Sequence, residues 1–466
     1  MQTKFHFIKR EGVFHLELLK LDEIIKALSG ELITRGKDVN FSGVSTDTRN
    51  IEKGNIFFAL KGDNFNGNCY VEMASEKGAA LCIIDEVLFC EEKLQKHTSI
   101  IKVENCRKAL LDLAEFYRSM LNIKIVGVTG STGKTSTKDL TAAALSAKYK
   151  VFKTEGNFNN EIGLPLMIFK LDNSYDVAVL EMGMNNLEEI HRMAKAARPD
   201  IALITNVGIS HIENLKTREN ILKAKMEITN FFNKNNILII NGDNDLLKGI
   251  TREGFKVIKV GMENKGDYFP SEIHLQEDKV SFKVLEEVFE INLPGKHNVS
   301  NGLLSIACGI ELGMSLKEIK EGFRNLKGTG MRLDIIKKES YTIVNDCYNA
   351  SPDSMKAAID VLININGKRK IAVLGTMKEL GEESYNAHKE VGKYAKEKGV
   401  DLLIALGEYN NAYEEGFNHE FKSFNSREEV AEFLETDISF GDVLLFKASR
   451  AMKFEEIIEI LKSKKA

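Results

Sequence analysis

Residues 125–140 read IVGVTGSTGKTSTKDL, and this stretch decides the fold of the chain around it. The apolar run Ile123–Val128 precedes glycines alternating with hydroxyl residues, and a segment that can form a helix follows Lys134 and Thr135. A strand, a glycine-rich turn and a helix in this order direct backbone N–H groups and the positive helix end toward a phosphate. The stretch therefore predicts a phosphate-binding loop.

Within this loop, Lys134 is expected to reach the β- and γ-phosphates and the Thr135 hydroxyl to bind Mg²⁺. The pattern GxxxxGK[ST] requires a glycine where this chain has Val128, and Gly127 lies one position earlier. Because a strand and a helix flank the loop, we interpret it as a nucleotide site rather than a turn with a surface lysine. The predicted ATP-binding residues here are Thr129, Gly130, Ser131, Thr132, Gly133, Lys134, Thr135 and Ser136.

Composition restricts the class of protein. The chain has 466 residues, 43% hydrophobic and 28% charged, which is ordinary for a globular protein of about three domains. A formal net charge of -4 gives no basic field that would attract nucleic acid or an anionic membrane. The six cysteines form no CxxC pair and suggest buried thiols in a reducing compartment. No apolar run reaches membrane-span length. Together with the cysteine pattern, this leads us to expect a soluble, cytoplasmic protein, and we also expect a monomer.

The order of apolar runs predicts an α/β fold with three domains. A small mixed domain is expected over residues 1–104, a central doubly wound P-loop domain over 105–328 and a Rossmann-like domain over 329–466. Near-continuous Val, Ile and Leu runs indicate buried parallel strands. They are Ile123–Val128, Val177–Leu180, Ile201–Thr205, Ile237–Ile240, Thr342–Asn345, Ile371–Leu374, Leu402–Leu406 and Val443–Phe446. By its alternation, Lys279–Leu293 predicts antiparallel strands at the sheet edge.

Two polar residues follow neighbouring predicted strands of the central domain. Glu181 ends the strand that begins at Tyr175, and His211 comes shortly after Ile201–Thr205. Carboxyl ends of parallel strands form the ligand-binding edge of such a sheet, so both could bind a metal that bridges phosphates. A solvated strand cap and a structural histidine are the alternatives. Helical periodicity over Ile221–Ile228 by itself predicts that Lys225 lies on the surface.

Several motifs resemble the Mur ligase superfamily over nearly the whole chain, most closely its branch that adds D-alanyl-D-alanine to UDP-N-acetylmuramoyl-tripeptide. The segment NDCYNASPDSM, Asn345–Met355, is the most specific to that branch. The other matching motifs are VSTDTR (Val44–Arg49), TGSTGKTS (Thr129–Ser136), TEGNFNNEIGLPL (Thr154–Leu166), LEMGMN (Leu180–Asn185), TNVGISHIE (Thr205–Glu213), KAKMEI (Lys223–Ile228), PGKHNVSN (Pro294–Asn301), MRLD (Met331–Asp334) and LGTMKELGEES (Leu374–Ser384).

The resemblance implies a role for each matched residue. The implied catalytic residues are Lys134, Glu181, His211, Lys225 and Arg332, and the implied metal ligands are Thr135, Glu181, His211 and Lys225. Lys225 would carry a carbamate that helps to hold a second Mg²⁺. Further implied ATP contacts are His297, Asn298, Arg332 and Asp346. Implied substrate contacts are Asp47, Thr48 and Arg49 for the uridine diphosphate end, Asn157, Asn159 and Asn160 for the muramoyl peptide, and Asn349 and Ser351 for the dipeptide.

The implied reaction forms an amide through an acyl phosphate, at the expense of ATP and with Mg²⁺, in peptidoglycan precursor synthesis. Two segments depart from the pattern: Thr376 stands where the family has Asp, and Asn66–Tyr70 differs from the family's DGHDF. These departures concern the amine site and contacts of the first domain. Lys447–Arg450, KASR, resembles the family's KGSR but could also be a surface turn.

Other functions remain open at the level of sequence. A sister ligase could add an amino acid to a shorter muramoyl peptide, or glutamate to folate. A non-ligase P-loop ATPase would turn over ATP without any amine. The NDCYNASPDSM segment argues against the sister ligases, and the HNVSNG and MRLD segments argue against the ATPase.

Overall fold

The computed structural model describes residues 16, 18–37, 40–251, 253–326 and 330–463. The predicted boundary at residues 328 and 329 lies outside these residues, and the three-domain boundaries stay predictions. By its internal contacts the chain divides into two compact units. The first contains the residues up to Ile125 together with Thr154–Ala178 and Arg192–Arg198, and the second contains Val126–Lys153, Val179–His191 and the residues from Pro199 onward.

The first part of the chain folds around a mixed sheet, as predicted for a small mixed domain. Its elements are α1 (Leu21–Leu28), β1 (Glu31–Thr34), β2 (Gly43–Ser45), β3 (Asn55–Phe58), β4 (Lys61–Gly62), β5 (Phe65–Asn66), α2 (Val71–Glu76), β6 (Leu81–Ile84), β7 (Ser99–Lys102) and α3 (Cys106–Ser119). The sheet has the order β1-β7-β6-β3-β2, with β1 antiparallel and the other pairs parallel. Asn105 caps α3, since its side chain accepts a 3.0 Å hydrogen bond from the Lys108 amide.

The next part is built on a sheet of order β13-β12-β11-β8-β10-β9, in which the neighbours among β13, β12, β11 and β8 pair in parallel. Strand β10 is buried along its whole length, which accounts for its uninterrupted apolar sequence. The elements are β8 (Lys124–Thr129), α4 (Lys134–Leu145), β9 (Val151–Lys153), α5 (Gly163–Ile168), β10 (Val177–Glu181), α6 (Glu189–Ala197), β11 (Ile201–Ile204), α7 (Ile212–Leu215), α8 (Arg218–Met226), β12 (Ile237–Asn241) and β13 (Lys256–Val260).

The antiparallel strands expected at the edge of this sheet form a separate sheet instead. Its elements, with the two helices that follow, are β14 (Pro270–Leu275), β15 (Val280–Val284), β16 (Glu287–Ile291), α9 (His297–Glu311) and α10 (Leu316–Arg324). Alternate residues of β15 are fully buried, and the Phe289 ring of β16 lies 5.9 Å from the Phe323 ring of α10. One face of the sheet thus has its own helix to cover it, so the strands need no place in the parallel sheet.

The last part is a doubly wound sheet of order β17-β18-β22-β19-β20-β21, in which only the β17–β18 pair is antiparallel among the described strands. Apolar clusters cover both faces, which confirms the Rossmann-like prediction. Its elements are β17 (Asp334–Lys337), β18 (Tyr341–Asn345), α11 (Pro352–Asn364), β19 (Arg369–Gly375), α12 (Ser384–Lys398), β20 (Leu402–Leu406), α13 (Asn410–Phe417), β21 (Phe421–Phe424), α14 (Arg427–Asp437), β22 (Asp442–Lys447) and α15 (Glu455–Ser463).

Two further expectations concern the surface and the membrane. Four of the six cysteines are buried as predicted, but Cys69 and Cys90 are exposed. In the part of the chain that the structure describes, no helix is both long enough and apolar enough to cross a membrane.

Candidate functional site

The predicted phosphate loop connects β8 to α4, and its glycines adopt backbone conformations that other residues avoid. Gly133 caps α4 at a φ of 78°, and Gly130 has a φ of 153°. A Cβ atom on Gly130 would lie 1.8 Å from the Thr205 hydroxyl oxygen, so the close approach of the two strand ends requires glycine. Val128, where the consensus has its first glycine, is fully buried within β8. The departure from the consensus therefore falls in the strand and leaves the turn intact.

Lys134 folds back over its own loop. Its ammonium donates a 2.8 Å hydrogen bond to the Gly130 carbonyl. A bound phosphate oxygen would compete with this carbonyl for the ammonium. Desolvation lowers the pKa of Lys134, and the nearby Arg332 guanidinium lowers it further, whereas Glu181 and Glu379 oppose the change. An anionic ligand in the loop would stabilise the charged ammonium.

A second loop supports the phosphate loop from the adjacent strand β11. The amide of Ser131 donates to the Asn206 carbonyl at 3.0 Å, and the amide of Thr132 donates to the Asn206 side chain at 2.8 Å. The Asn206 amide group in turn donates to the Thr132 hydroxyl at 2.8 Å. Asn206 thus fixes the loop geometry. Sequence reasoning did not single it out, although it lies in the TNVGISHIE motif.

The Thr135 hydroxyl connects two other predicted site residues, Glu181 and Arg332. It donates to Glu181 at 2.9 Å and accepts from Arg332 at 2.9 Å. Glu181 is only 3% exposed at the end of β10, and the Arg332 guanidinium lies 4.1 Å from the centre of the Tyr348 ring. A buried carboxylate beside a hydroxyl offers the oxygen ligands that Mg²⁺ prefers. This supports the metal interpretation of Glu181 over a solvated strand cap.

His211 precedes α7 with a left-handed φ of 65°, and its Nδ1 lies 2.6 Å from a carboxylate oxygen of Glu379. This close contact with His211 lowers the pKa of Glu379. Such a carboxylate partner fixes the ring orientation of a metal-binding histidine. Sequence reasoning did not identify Glu379, because its contact with His211 exists only in the folded chain. Among the described residues, no three or more His, Cys, Asp or Glu side chains are grouped as a metal site.

Lys225 is buried, so the surface position that helical periodicity predicts for it is wrong. The side chain is 1% exposed near the end of α8, and no hydrogen bond or ion pair of its ammonium occurs among the residues that the structure describes. Burial lowers the pKa of Lys225 well below its usual range, and the charge of Lys134 adds to this effect. A neutral, buried amine is the form that can react with carbon dioxide, so the residue fits the implied carbamate.

His297 and Asn298 begin α9, as predicted, but Asn298 already has partners. Its side chain donates to the Pro294 carbonyl at 2.8 Å and accepts from Asn301 at 3.0 Å, so the amide holds the start of the helix. Desolvation lowers the pKa of His297 to about 4, which keeps the ring neutral near pH 7. A neutral ring suits contact with a base better than contact with a phosphate.

The predicted nucleotide residue Asp346 pairs with Lys447 at the end of β22. Since Lys447 is 2% exposed, the KASR segment does not begin as a surface turn. Another oxygen of Asp346 accepts from the Leu333 amide at 3.2 Å. The structure therefore ties Asp346 to the residue that follows Arg332.

The predicted dipeptide residues lie at the start of α11. Asn349 uses its side-chain oxygen to accept from the Ala350 amide at 2.9 Å, and Ser351 caps the helix together with Ser354. Thr376 is 3% exposed and accepts from the Glu408 amide at 3.0 Å. Thr376 therefore holds the backbone that follows β20.

Among the predicted uridine diphosphate contacts of the first unit, Arg49 is exposed, whereas Asp47 and Thr48 are half-buried. Asp47 pairs with Arg49 at 2.6 Å, and the hydrogen bond from Arg49 lowers the pKa of Asp47. The Thr48 carbonyl accepts from Lys77 at 2.8 Å. In the departing segment Asn66–Tyr70, Asn68 is buried and donates to Asp85 at 2.7 Å. This segment has a structural role in the unit.

The three asparagines expected at the muramoyl peptide lie in the loop before α5. Asn157 and Asn160 are exposed and Asn159 is half-buried. The Asn160 side chain accepts from the Gly163 amide at 2.8 Å and from the Ile162 amide at 3.1 Å, which caps the start of α5. Asn160 is therefore partly committed to the loop structure.

Comparison with family models finds three matches along the chain. Residues 40–118 match the Mur ligase family catalytic domain, residues 128–309 the Mur ligase middle domain, and residues 331–450 the Mur ligase glutamate ligase domain. These matches cover the parts of the chain that carry the site residues described above.

Individual relatives agree with these models. The UDP-N-acetylmuramoyl-tripeptide–D-alanyl-D-alanine ligase of Bacillus subtilis (strain 168) is 39% identical over 90% of this chain and 93% of its own length. The enzyme of the same name from Escherichia coli (strain K12) is 33% identical over 95% of this chain and 98% of its own length. A crystal structure of MurF from Acinetobacter baumannii superposes with a TM-score of 0.88 at 29% identity, covering 95% of this chain and 98% of that one. MurF ligase from Thermotoga maritima, solved with ADP, gives a TM-score of 0.80 at 30% identity, over 90% and 97% of the two chains. From this agreement along almost its whole length, the chain belongs to the Mur ligase family.

Proposed function

We propose that this chain is an ATP-dependent ligase that joins D-alanyl-D-alanine to UDP-N-acetylmuramoyl-tripeptide and releases ADP and phosphate, a step in peptidoglycan precursor synthesis. Family membership and the near-full-length similarity to ligases of that name support the proposal. The observation that carries it is the Thr135 hydroxyl, which binds both Glu181 and Arg332 beside the phosphate loop. A cytoplasmic location and a monomeric state stay predictions.

ATP is held by the phosphate loop and by the residues gathered around it. Lys134 leaves the Gly130 carbonyl and donates to the phosphates, and Arg332 turns its guanidinium from Thr135 to the transferring phosphoryl group. His297, Asn298 and Asp346 would contact the nucleoside. Because the lysine and arginine charges are placed before the reaction, they stabilise charge that develops as the phosphoryl group moves.

The donor set fits Mg²⁺. Thr135, Glu181 and His211 would hold it, with a carbamate on Lys225 as a further ligand, and the bound ion would neutralise phosphate charge. Burial lowers the pKa of the Lys225 amine, which favours the neutral form that carbamate formation requires. Glu379 orients the His211 ring through Nδ1.

The reaction then proceeds in two steps. An oxygen of the tripeptide's terminal carboxylate attacks the γ-phosphorus of ATP, and ADP leaves, which gives an acyl phosphate. The amine of D-alanyl-D-alanine attacks the acyl carbon, phosphate leaves and the amine loses a proton. Asn349 and Ser351 would contact the dipeptide, and the UDP-muramoyl peptide would be bound by Asp47, Thr48, Arg49, Asn157, Asn159 and Asn160.

Product analysis tests the proposal directly. Purified protein with ATP and Mg²⁺ is given UDP-N-acetylmuramoyl-tripeptide and D-alanyl-D-alanine separately and together, while ADP is measured and products are weighed by mass spectrometry. We expect turnover only with both substrates, and a mass equal to UDP-N-acetylmuramoyl-pentapeptide. ADP release that needs neither substrate would contradict the ligase proposal. Glutamate and diaminopimelate serve as control amines.

A further inference from the structure

A buried lysine lies at the carboxyl end of the central strand of the last sheet. Lys447 ends β22, which pairs in parallel with β18 on one side and β19 on the other. Its side chain is 3% exposed. Open α/β sheets bind ligands at the carboxyl ends of their parallel strands. A buried cation at this end of β22 is therefore placed where a ligand would bind.

The ammonium of Lys447 has two partners on one loop. It forms an ion pair with Asp346, whose side chain is 13% exposed, and donates a 2.9 Å hydrogen bond to the Asn349 carbonyl. These partners are three residues apart in the segment that follows β18. In the proposed function, Asp346 contacts the nucleotide and Asn349 contacts the dipeptide.

Asp346 extends this connection to the phosphate site. It accepts a hydrogen bond from the Leu333 amide at 3.2 Å, and Leu333 follows Arg332. The Tyr348 ring, from the same loop as Asp346, stacks on the Arg332 guanidinium at 4.1 Å. The positions of Arg332, Asp346 and Asn349 therefore all depend on the loop after β18. Lys447 fixes this loop through its contacts with Asp346 and with the Asn349 carbonyl.

We propose that Lys447 is a positioning residue that fixes the nucleotide-facing Asp346 and the amine-facing Asn349 relative to each other. This inference rests on the proposed function, because the roles of Asp346 and Asn349 do. A lysine suits the task because its ammonium has three donors and can bind a carboxylate and a carbonyl at once. Movement of about 1 Å in such a loop can lower a rate about 100-fold.

The same strand offers a matched control at its other end. Asp442, the first residue of β22, is 2% exposed and pairs with Arg369 at 2.7 Å. Replacing Arg369 with Met removes the cation from the buried Asp442, whereas Lys447→Met removes it from the half-buried Asp346 at the carboxyl edge. Both variants should lower the melting temperature, because each leaves a carboxylate that is at least half-buried without its cation.

The test compares steady-state kinetics of the two variants at a temperature where both are folded. We expect Lys447→Met to raise KM for both ATP and D-alanyl-D-alanine and to lower kcat/KM about 100-fold. Arg369→Met should stay within about twofold of the wild type. Equal losses in the two variants, or a KM change for one substrate alone, would overturn the positioning role.

Binding separates this inference from the proposed function. The dissociation constant of a fluorescent ATP analogue should rise in Lys447→Met and stay unchanged in Arg369→Met. A wild-type protein that makes no pentapeptide would overturn the proposed ligase activity and the amine-facing half of this inference. Unchanged analogue binding in Lys447→Met would instead overturn the inference while wild-type product formation stands.

Discussion

Arg332 donates a 2.9 Å hydrogen bond to the Thr135 hydroxyl across 197 residues of sequence. The same hydroxyl donates to Glu181, so one oxygen links the phosphate loop, the end of β10 and the segment before β17. Such a contact gives the nucleotide site its charge arrangement before any ligand binds. It also suggests where substitutions should separate binding from folding.

Replacing Thr135 with Val should disable the site without changing the size of the side chain. Glu181 and Arg332 would lose their shared partner, and a metal would lose an oxygen ligand. We expect kcat to fall about 100-fold or more. Thr135→Ser keeps the hydroxyl and should retain most activity. The measurement is the rate of ADP release as a function of Mg²⁺ concentration. A similar kcat and a similar Mg²⁺ dependence in the Val and Ser variants would disprove the ligand role.

Replacing Lys225 with Ala should abolish activity, and excess bicarbonate should not restore it, because Ala has no amine to modify. Lys223→Ala is the matched control, since Lys223 is exposed on the same helix. Carbon-13 NMR with labelled bicarbonate offers a readout apart from turnover. A carbamate signal is expected in the wild type and in Lys223→Ala only. A fully active Lys225→Ala would exclude the carbamate.

Replacing Glu379 with Gln should weaken Mg²⁺ binding about 10- to 100-fold, because the His211 ring would lose the charged partner that orients it. Glu382→Gln changes an exposed carboxylate of the same loop and is the control. The apparent Mg²⁺ affinity of nucleotide binding is the measurement. The orienting role fails if the two variants give the same affinity.

His297 should make stability depend on pH. Its pKa is about 4 in the folded chain, below the ordinary histidine pKa of 6.5, so between these two pH values the unfolded state binds a proton that the folded state does not. The wild type should therefore lose about 3 kcal/mol relative to His297→Gln as the pH falls from above 6.5 to 4. Above that window the difference should be constant.

Urea unfolding of both proteins between pH 4 and 8 measures this difference. His419→Gln is a control, because His419 is exposed. A His297→Gln variant whose free energy of unfolding follows the wild type throughout this range would show that the His297 ring is not kept neutral by the fold. The measurement needs no substrate, so it is independent of the proposed activity.

Local sequence was sufficient where the signal is local. The run Ile123–Val128 predicted a strand that the structure places at Lys124–Thr129, and the glycines after it predicted the turn and the helix. The run Ile371–Leu374 likewise lies within Arg369–Gly375. Buried parallel strands need uninterrupted apolar residues, and tight turns need glycine, so these features can be read along the chain.

Relationships between distant segments could not be read in this way. Periodicity placed Lys225 on the surface, because it describes one helix and not what covers that helix. Alternation predicted the strands of Lys279–Leu293 but assigned them to the wrong sheet, since strand pattern does not specify the partner strand. Glu379 lies in the LGTMKELGEES motif, but the motif does not indicate its contact with His211, which exists only in the folded chain.

The sequence by itself determined the α/β fold, the phosphate loop and, through its motifs, the family. Tertiary structure decided which charges are buried and which side chains meet: Lys447 with Asp346, Glu379 with His211, and Arg332 with Thr135. The physical reason is that backbone conformation depends on neighbouring residues, whereas desolvation and ion pairing depend on every segment that folds around a group.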